Sequence, residues 1–243
     1  MRLRVLLVGR TRYRLPLEPS LRRKFDALAA EMDVRVLGSA PEGAPTGDGT
    51  FRLAPPVRPR PLDGLAYHGL LPLRVARELV RFRPDAVVVQ GPHEAAGVLL
   101  ARALVASEAR VVLDVHGDWR TATRLYGSRA RRLASPLADG LAGLAVRRAD
   151  AVRTVSGFTT GLVRDAGVEP AGVFPAFMDL EPFLERPPEP LPERPAALFV
   201  GVLELYKNVD GLAAAWRLAQ PRVPGRACSS SAPGHAPTSR AHS

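Results

Sequence analysis

Short, near-continuous apolar runs alternate with helical segments along most of this chain, and that alternation leaves few folds open. Leu3 to Val8 reads as a first buried strand. Leu21, Phe25, Leu28 and Met32 follow at spacings of four, three and four, one face of a helix, with Arg22, Arg23 and Lys24 off that face. Val34 to Leu37 is a second strand, and a Pro- and Gly-rich loop from about Gly38 to Pro61 follows it. Leu73 to Phe82 is helical and stops before Pro84. Ala86 to Val89 is a buried strand, Glu94 to Val105 a helix, and Arg110 to Val115 a strand ending at His116-Gly117. Pro136 to Arg148 is helical, with Leu137, Leu141, Leu144 and Ala145 on one side. Ala151 to Val155 is a strand, Thr159 to Ala166 a short helix and Ala171 to Phe174 another strand. This order predicts an α/β fold, a Rossmann-like parallel sheet with helices on both faces. Ligands of such sheets bind beyond the carboxyl ends of the strands. The tips of interest are Gly9-Arg10, Gln90-Gly91-Pro92-His93, His116-Gly117-Asp118 and Ser156-Gly157.

The pattern changes after residue 184. Five prolines among the eleven residues Glu185 to Pro195 predict a stiff, extended linker. Ala197-Leu198-Phe199-Val200-Gly201 then restarts as a strand and Asn208 to Leu218 as a helix. The expected organisation is a Rossmann-like domain over 1–184, a linker over 185–195, and the first βα unit of a second domain over 196–220. Residues 221–243 lack hydrophobic periodicity and are dominated by Ala, Ser, Pro, Arg and His. They are expected to be disordered. A one-base slip of reading frame near Pro224, in GC-rich codons, would also turn a strand, a glycine turn and a helix start into such a tail. The expectation is a truncated or frameshifted second domain.

Charge and cysteine count narrow the function classes. The net charge is +10, and only Lys24 and Lys207 of the 34 basic residues are lysine. A basic surface attracts nucleic acid, anionic lipid or phosphorylated substrates. GC-rich codons also enrich Arg, Ala, Gly and Pro together, and no recognisable nucleic-acid module gathers the charge, so no nucleic-acid partner is expected. The single cysteine, Cys228, excludes an internal disulfide and a cysteine-based zinc site. The apolar run at the N-terminus is too short for a signal peptide, and no run reaches the roughly 18–20 residues of a membrane span. A cytoplasmic protein is expected.

Four stretches together resemble the retaining GT-B glycosyltransferases of the glycogen-synthase-like and mannosyltransferase-like group. Val111 to Gly117 resembles that group's "vvltvHG" strand end, and Arg148 to Ser156 its "aDavitvS" strand. Phe174 to Phe183 is similar to its "vIpNGvDlerF" segment. Leu198 to Leu203, with Lys207 to Leu212, is similar to its "lfvGrL…KGvdlLieA" opening of the donor domain. The resemblance implies that the first domain binds the acceptor and the second a sugar nucleotide, with transfer to a saccharide or lipid-linked acceptor. It departs at Gly9-Arg10-Thr11-Arg12-Tyr13, where the group often has paired glycines, at Ala176-Phe177 in place of Asn-Gly, and at Val202 in place of an Arg. The paired glutamates that grip the donor in this group have no counterpart, so the chain alone is expected to lack turnover. No cofactor is expected, the nucleotide sugar being a substrate.

The resemblance assigns roles at the tips. His116 is the candidate catalytic residue, bonding the donor sugar or the reacting centre, unless it bonds a neighbouring carbonyl structurally. Gly9, Arg10, His93 and Gly117 are candidate acceptor contacts, and Gly117 permits close approach of a ligand. Gly201 and Lys207 are candidate donor contacts. An ammonium near a helix start meets a diphosphate as a point charge, whereas a lysine there is otherwise a solvated surface residue. A metal site from His93, His116, Asp114 and Asp118 is not expected, because no HxxxH or HExxH spacing supports it and Asp114 alternates with the tip residues. Glu94 offers an acid or base but begins a helix, where carboxylates are favoured anyway. Asp118 and Ser156 read as helix caps. Arg120 to Arg132, with Trp119, Leu125 and Tyr126 interleaved, is a solvated helix face or a peripheral contact with an anionic membrane. Three other classes stay open: a non-catalytic carbohydrate-binding or regulatory module, a fragment of a two-domain sugar-nucleotide epimerase, and, last, a nucleic-acid binder.

Overall fold

The computed structural model describes residues 2–120, 129–175, 177–178, 180–185, 190, 196–201, 207–222 and 227–231, without the side chains of 60–61, 129–134, 182, 196 and 227–231. The chain forms two compact units, the first from residues 1–120 and 129–179, the second from 121–128 and 180–243.

The first unit is the expected α/β fold. Its strands are β1 (Arg4–Arg12), β2 (Asp33–Ser39), β3 (Phe51–Ala54), β4 (Ala86–Val89), β5 (Arg110–Val115), β6 (Ala151–Thr154) and β7 (Gly172–Val173). They lie in the order β3-β2-β1-β4-β5-β6-β7, and every pairing is parallel. Helices α1 (Pro19–Glu31), α2 (Arg60–Arg81), α3 (Pro92–Leu104), α4 (Arg129–Arg148) and α5 (Gly157–Asp165) connect them. Alternation along β1 and β2 separates two cores. Leu6, Val8 and Leu37 face one that includes Val75, Val98, Val111 and Val146. Leu7 and Val36 face the other, where Phe25 of α1 meets Tyr13, Phe51 and Leu53. Phe25 and Phe51 pack edge to face at 4.9 Å between centroids.

Several elements exceed their sequence reading, each for a packing reason. β1 runs on through Gly9 to Arg12 with a register irregularity, where a loop was expected. β3 lies inside the expected loop of residues 38–61. Its Phe51 and Leu53 are buried while Arg52 is exposed, a four-residue alternation hidden among prolines and glycines. α2 starts at Arg60 rather than Leu73 and passes through Pro72. Tyr67, Leu71, Val75 and Leu79 are all buried at steps of four, and burying such a stripe offsets the roughly 3 kcal/mol of an interior proline. On α4 the buried face is Ala142, Ala145 and Val146, whereas Leu137, Leu141 and Leu144 are exposed. Small residues let α4 approach α3, whose Ala95, Val98 and Ala101 are fully buried.

The second unit has α6 (Glu181–Leu184), β8 (Ala196–Val200), α7 (Val209–Ala219) and β9 (Ala227–Ser231). β8 and β9 pair in parallel, Ala196 with Ala227 through Val200 with Ser231. Residues 227–231 of the expected tail thus run as a strand, where the edge of β8 offers a ladder that any extended segment can complete through its backbone. The expected linker falls almost wholly outside the described residues, as does the rest of the tail.

Candidate functional site

The strand order reverses direction beside β1, with β2 on one side and β4 on the other. In an open parallel sheet that reversal opens a crevice at the carboxyl ends of the strands. Gly9 and Arg10 on β1 flank it, with Gln90, Gly91 and His93 at the passage from β4 to α3. A methyl group on Gly9 would stand 2.6 Å from Gln90 Oε1, so glycine is what lets the two strand ends approach. The Thr11 hydroxyl donates to that same oxygen at 2.7 Å. Gly91 has φ 131°, the left-handed side that other residues avoid.

Charged groups surround this crevice. Arg10 Nη2 donates to Asp63 Oδ2 at 2.8 Å, and its guanidinium lies 6.0 Å from the Tyr67 ring centroid. The Val57 amide, then Arg10, hold the Asp63 carboxyl below the usual range. His93 is half-buried in the first turn of α3, and its Nε2 is buried without a partner. Burial pulls its pKa down, against the pull of Asp139 on α4. Burial pushes the neighbouring Glu94 up. The Tyr67 hydroxyl is buried without a partner, and burial followed by the Glu94 charge pushes its pKa up.

The second group stands at the ends of β5 and β6. Asp114 was expected to alternate away from the strand tip, but residues two apart on a strand share a face, and Asp114 meets His116. His116 Nε2 lies 2.8 Å from Asp114 Oδ2. Arg153, the register partner of Asp114 on β6, donates from Nη1 to the same oxygen at 2.6 Å. Its Nη2 donates to the carbonyls of Phe174 at 3.1 Å and Pro175 at 2.9 Å, and the guanidinium lies 3.7 Å from the Phe174 ring centroid. The Asp114 side chain is 7% exposed, that of Arg153 18% and that of His116 44%. Among the described residues, Asp114 Oδ1 and Arg153 Nε are buried without partners. Lys24 of α1 also reaches this region. Burial lowers its pKa, Asp114 opposing that shift and Arg153 adding to it.

Among the described residues, nothing lies within 4 Å of where a Cβ on Gly117 would stand, so no described contact demands glycine there. Asp118 accepts from the Arg120 amide at 2.9 Å. Ser156 caps α5 in a reciprocal box with Thr159, a structural role. Among the described residues, no three His, Cys, Asp or Glu side chains gather closely enough to hold a metal.

Of the expected site residues, Gly9, Arg10 and His93 thus stand at the reversal of strand order. His116 and Gly117 stand at the end of β5, the strand next to β4. Gly201 and Lys207 belong to the second unit, Gly201 just after β8 and Lys207 two residues before α7. Val202 and the segment from Thr121 to Ser128 lie outside the described residues. Asp114 and Arg153 were not foreseen as site residues. The available signal was a carboxylate and a guanidinium inside otherwise apolar strands, Arg110 to Val115 and Ala151 to Val155. Lys24 had no such signal.

A hollow of about 560 Å³ lies at the opposite edge, lined by Leu79, Arg83, Asp85, Val105 and Glu108 among others. None of its lining residues carries an unpaired buried polar side chain, so nothing there converges on a ligand. No described helix is long and apolar enough to cross a membrane.

Comparison with known proteins agrees with the fold of the seven-stranded unit. Sucrose-phosphate synthase from Thermosynechococcus elongatus superposes with a TM-score of 0.62 at 15% identity, covering 94% of this chain and 62% of that one. The lipopolysaccharide outer core galactosyltransferase WaaB superposes with a TM-score of 0.53 at 12% identity, covering 87% of this chain and 57% of that one. At such identities the likeness is one of fold, and the chain spans about three fifths of the length of these structures. No curated protein sequence matches the chain. Residues 17–175, more than half of the chain and nearly all of the seven-stranded unit, match the glycosyl transferase 4-like domain, and the chain belongs to that family.

Proposed function

We propose that the seven-stranded unit is the acceptor-binding lobe of a retaining GT-B glycosyltransferase that moves a sugar from a nucleotide sugar to a saccharide or lipid-linked acceptor. The observation that carries this reading is the Asp114–His116–Arg153 group, at the carboxyl edge of a parallel sheet within a glycosyl transferase 4-like domain. Gly9, Arg10, His93 and Gly117 line the acceptor side, and His116 hydrogen-bonds a hydroxyl near the reacting centre. Gly201 and Lys207 meet the nucleotide diphosphate, whose developing charge a cation and a helix start stabilise electrostatically. A lipid-linked acceptor would bring the basic surface to the inner face of an anionic membrane.

The test is a calorimetric and activity panel on purified 1–243 and His116→Ala, with uridine, guanosine and adenosine diphosphate sugars and with oligosaccharides. Saccharide binding that weakens at least tenfold in His116→Ala supports the proposal. Interconversion of a free nucleotide sugar without any acceptor would replace it with an epimerase. Steeply salt-dependent DNA binding would replace it with a nucleic-acid binder.

A further inference from the structure

His116 presents two ring nitrogens, and which one carries the proton decides what the ring offers a substrate. Its neighbours fix the answer. Arg153 Nη1 donates to Asp114 Oδ2 at 2.6 Å, a charge-assisted bond that requires a lone pair on that oxygen. His116 Nε2 meets the same oxygen at 2.8 Å. An ionised carboxylate only accepts, so Nε2 must be the donor. The neutral ring is then protonated on Nε2, and Nδ1 keeps its lone pair. Among the described residues no protein group bonds Nδ1, on a ring that is 44% exposed.

We propose that Asp114 and Arg153 are positioning residues that hold His116 as the Nε2–H tautomer, so that Nδ1 accepts a hydrogen bond from a substrate hydroxyl. This rests on the functional reading above for the identity of that hydroxyl, but the tautomer itself does not. The pair is cross-strand and in register, and its carboxylate is nearly inaccessible, so the oxygen facing His116 has little freedom to turn. Arg153 also grips the carbonyls of Phe174 and Pro175. One guanidinium therefore ties the ring to the chain leaving β7.

Nitrogen-15 NMR of the uniformly labelled chain reads the tautomer directly, with the His116 ring assigned by its loss in His116→Gln. The expected result is a ring Nε2–H proton protected from exchange with water, with Nδ1 at the shift of an unprotonated nitrogen. Asp114→Asn keeps the shape of the side chain and removes the charge. It is expected to lose the protection and to mix the tautomers. Arg153→Lys keeps the charge but loses the fork to the two carbonyls and is expected to give intermediate protection. A protonated Nδ1 in the neutral ring, or an Nε2–H that exchanges equally fast in the parent and in Asp114→Asn, would overturn the inference. Saccharide titration of the same samples separates the two proposals. A fixed tautomer without saccharide binding overturns the functional reading alone, and binding with an unfixed tautomer overturns the positioning role alone.

Discussion

Two buried carboxylate–guanidinium pairs sit at opposite ends of the same sheet, and they differ in what surrounds them. Toward the amino end, Glu78 of α2 meets Arg35 of β2 at 2.6 Å, and the Arg35 guanidinium rests 4.4 Å from the Phe82 ring centroid. Arg4 lies 4.7 Å from the same ring, and its amide donates to Asp85. None of these side chains has a buried polar atom without a partner. Toward the carboxyl end, Asp114 meets Arg153 with the same 2.6 Å contact and the same 7% exposure of the carboxylate. There the carboxylate also holds an exposed histidine, and Asp114 Oδ1, Arg153 Nε, Trp119 Nε1, His93 Nε2 and the Tyr67 hydroxyl are all buried without partners among the described residues. Buried polar groups left unpaired are costly, so a fold tolerates them where they serve something besides the fold. The amino-end pair holds helix to sheet. The carboxyl-end pair holds strand to strand and an exposed histidine.

The largest expected effects test whether both pairs are equally buried. Glu78→Ala and Asp114→Ala each leave a guanidinium uncompensated and should each cost about 3–5 kcal/mol in urea unfolding. Replacing whole pairs separates their roles. Arg35→Met with Glu78→Leu should be near neutral in stability and leave saccharide binding unchanged. Asp114→Leu with Arg153→Met should also be near neutral in stability but abolish binding. Equal binding in the two double variants would erase the distinction between the ends.

Glycines give a smaller effect. Gly9→Ala places a methyl group against Gln90 and should cost about 1–3 kcal/mol, read from the same unfolding curves. Gly117→Ala meets no atom of the described residues and should change stability by no more than about 0.5 kcal/mol. It should nevertheless weaken saccharide binding about tenfold, because the methyl group occupies space that the fold leaves open.

The frame was legible in the sequence because strand and helix periods are local. The alternating order set the sheet, and the strand-tip rule led to Gly9, His93, His116 and Gly117. What stayed hidden depended on contacts between distant segments. The helix read as starting only at Leu73 because nothing local reports that Tyr67, Leu71, Val75 and Leu79 bury a stripe through Pro72. Leu137, Leu141, Leu144 and Ala145 read as one side of α4; Ala145 is buried there, but the three leucines are exposed and Ala142 and Val146 take their place against the core. Asp114 and Arg153 are 39 residues apart, and only strand register makes them neighbours. Lys24 joins them from a helix on which it lies beside the apolar stripe.

The smallest expected effect is pH dependence. His93 is pushed below its unfolded value, near 6.5, by burial. The unfolded chain then takes up the proton first as pH falls. The stability His93 contributes is full above about 6.5 and is lost on acidification below it. Thermal midpoints between pH 7.5 and 5.5 should therefore fall more steeply for the parent than for His93→Gln.

The most direct measurement of the central claim is a titration of labelled 1–243 with oligosaccharides and nucleotide sugars, followed through backbone amide NMR shifts. The claim that the carboxyl edge is the site predicts shifts at Gly9, Gly91 and Gly117, with Arg83, Asp85 and Glu108 unmoved. Shifts at those three residues of the opposite hollow, with the three glycines still, would contradict it.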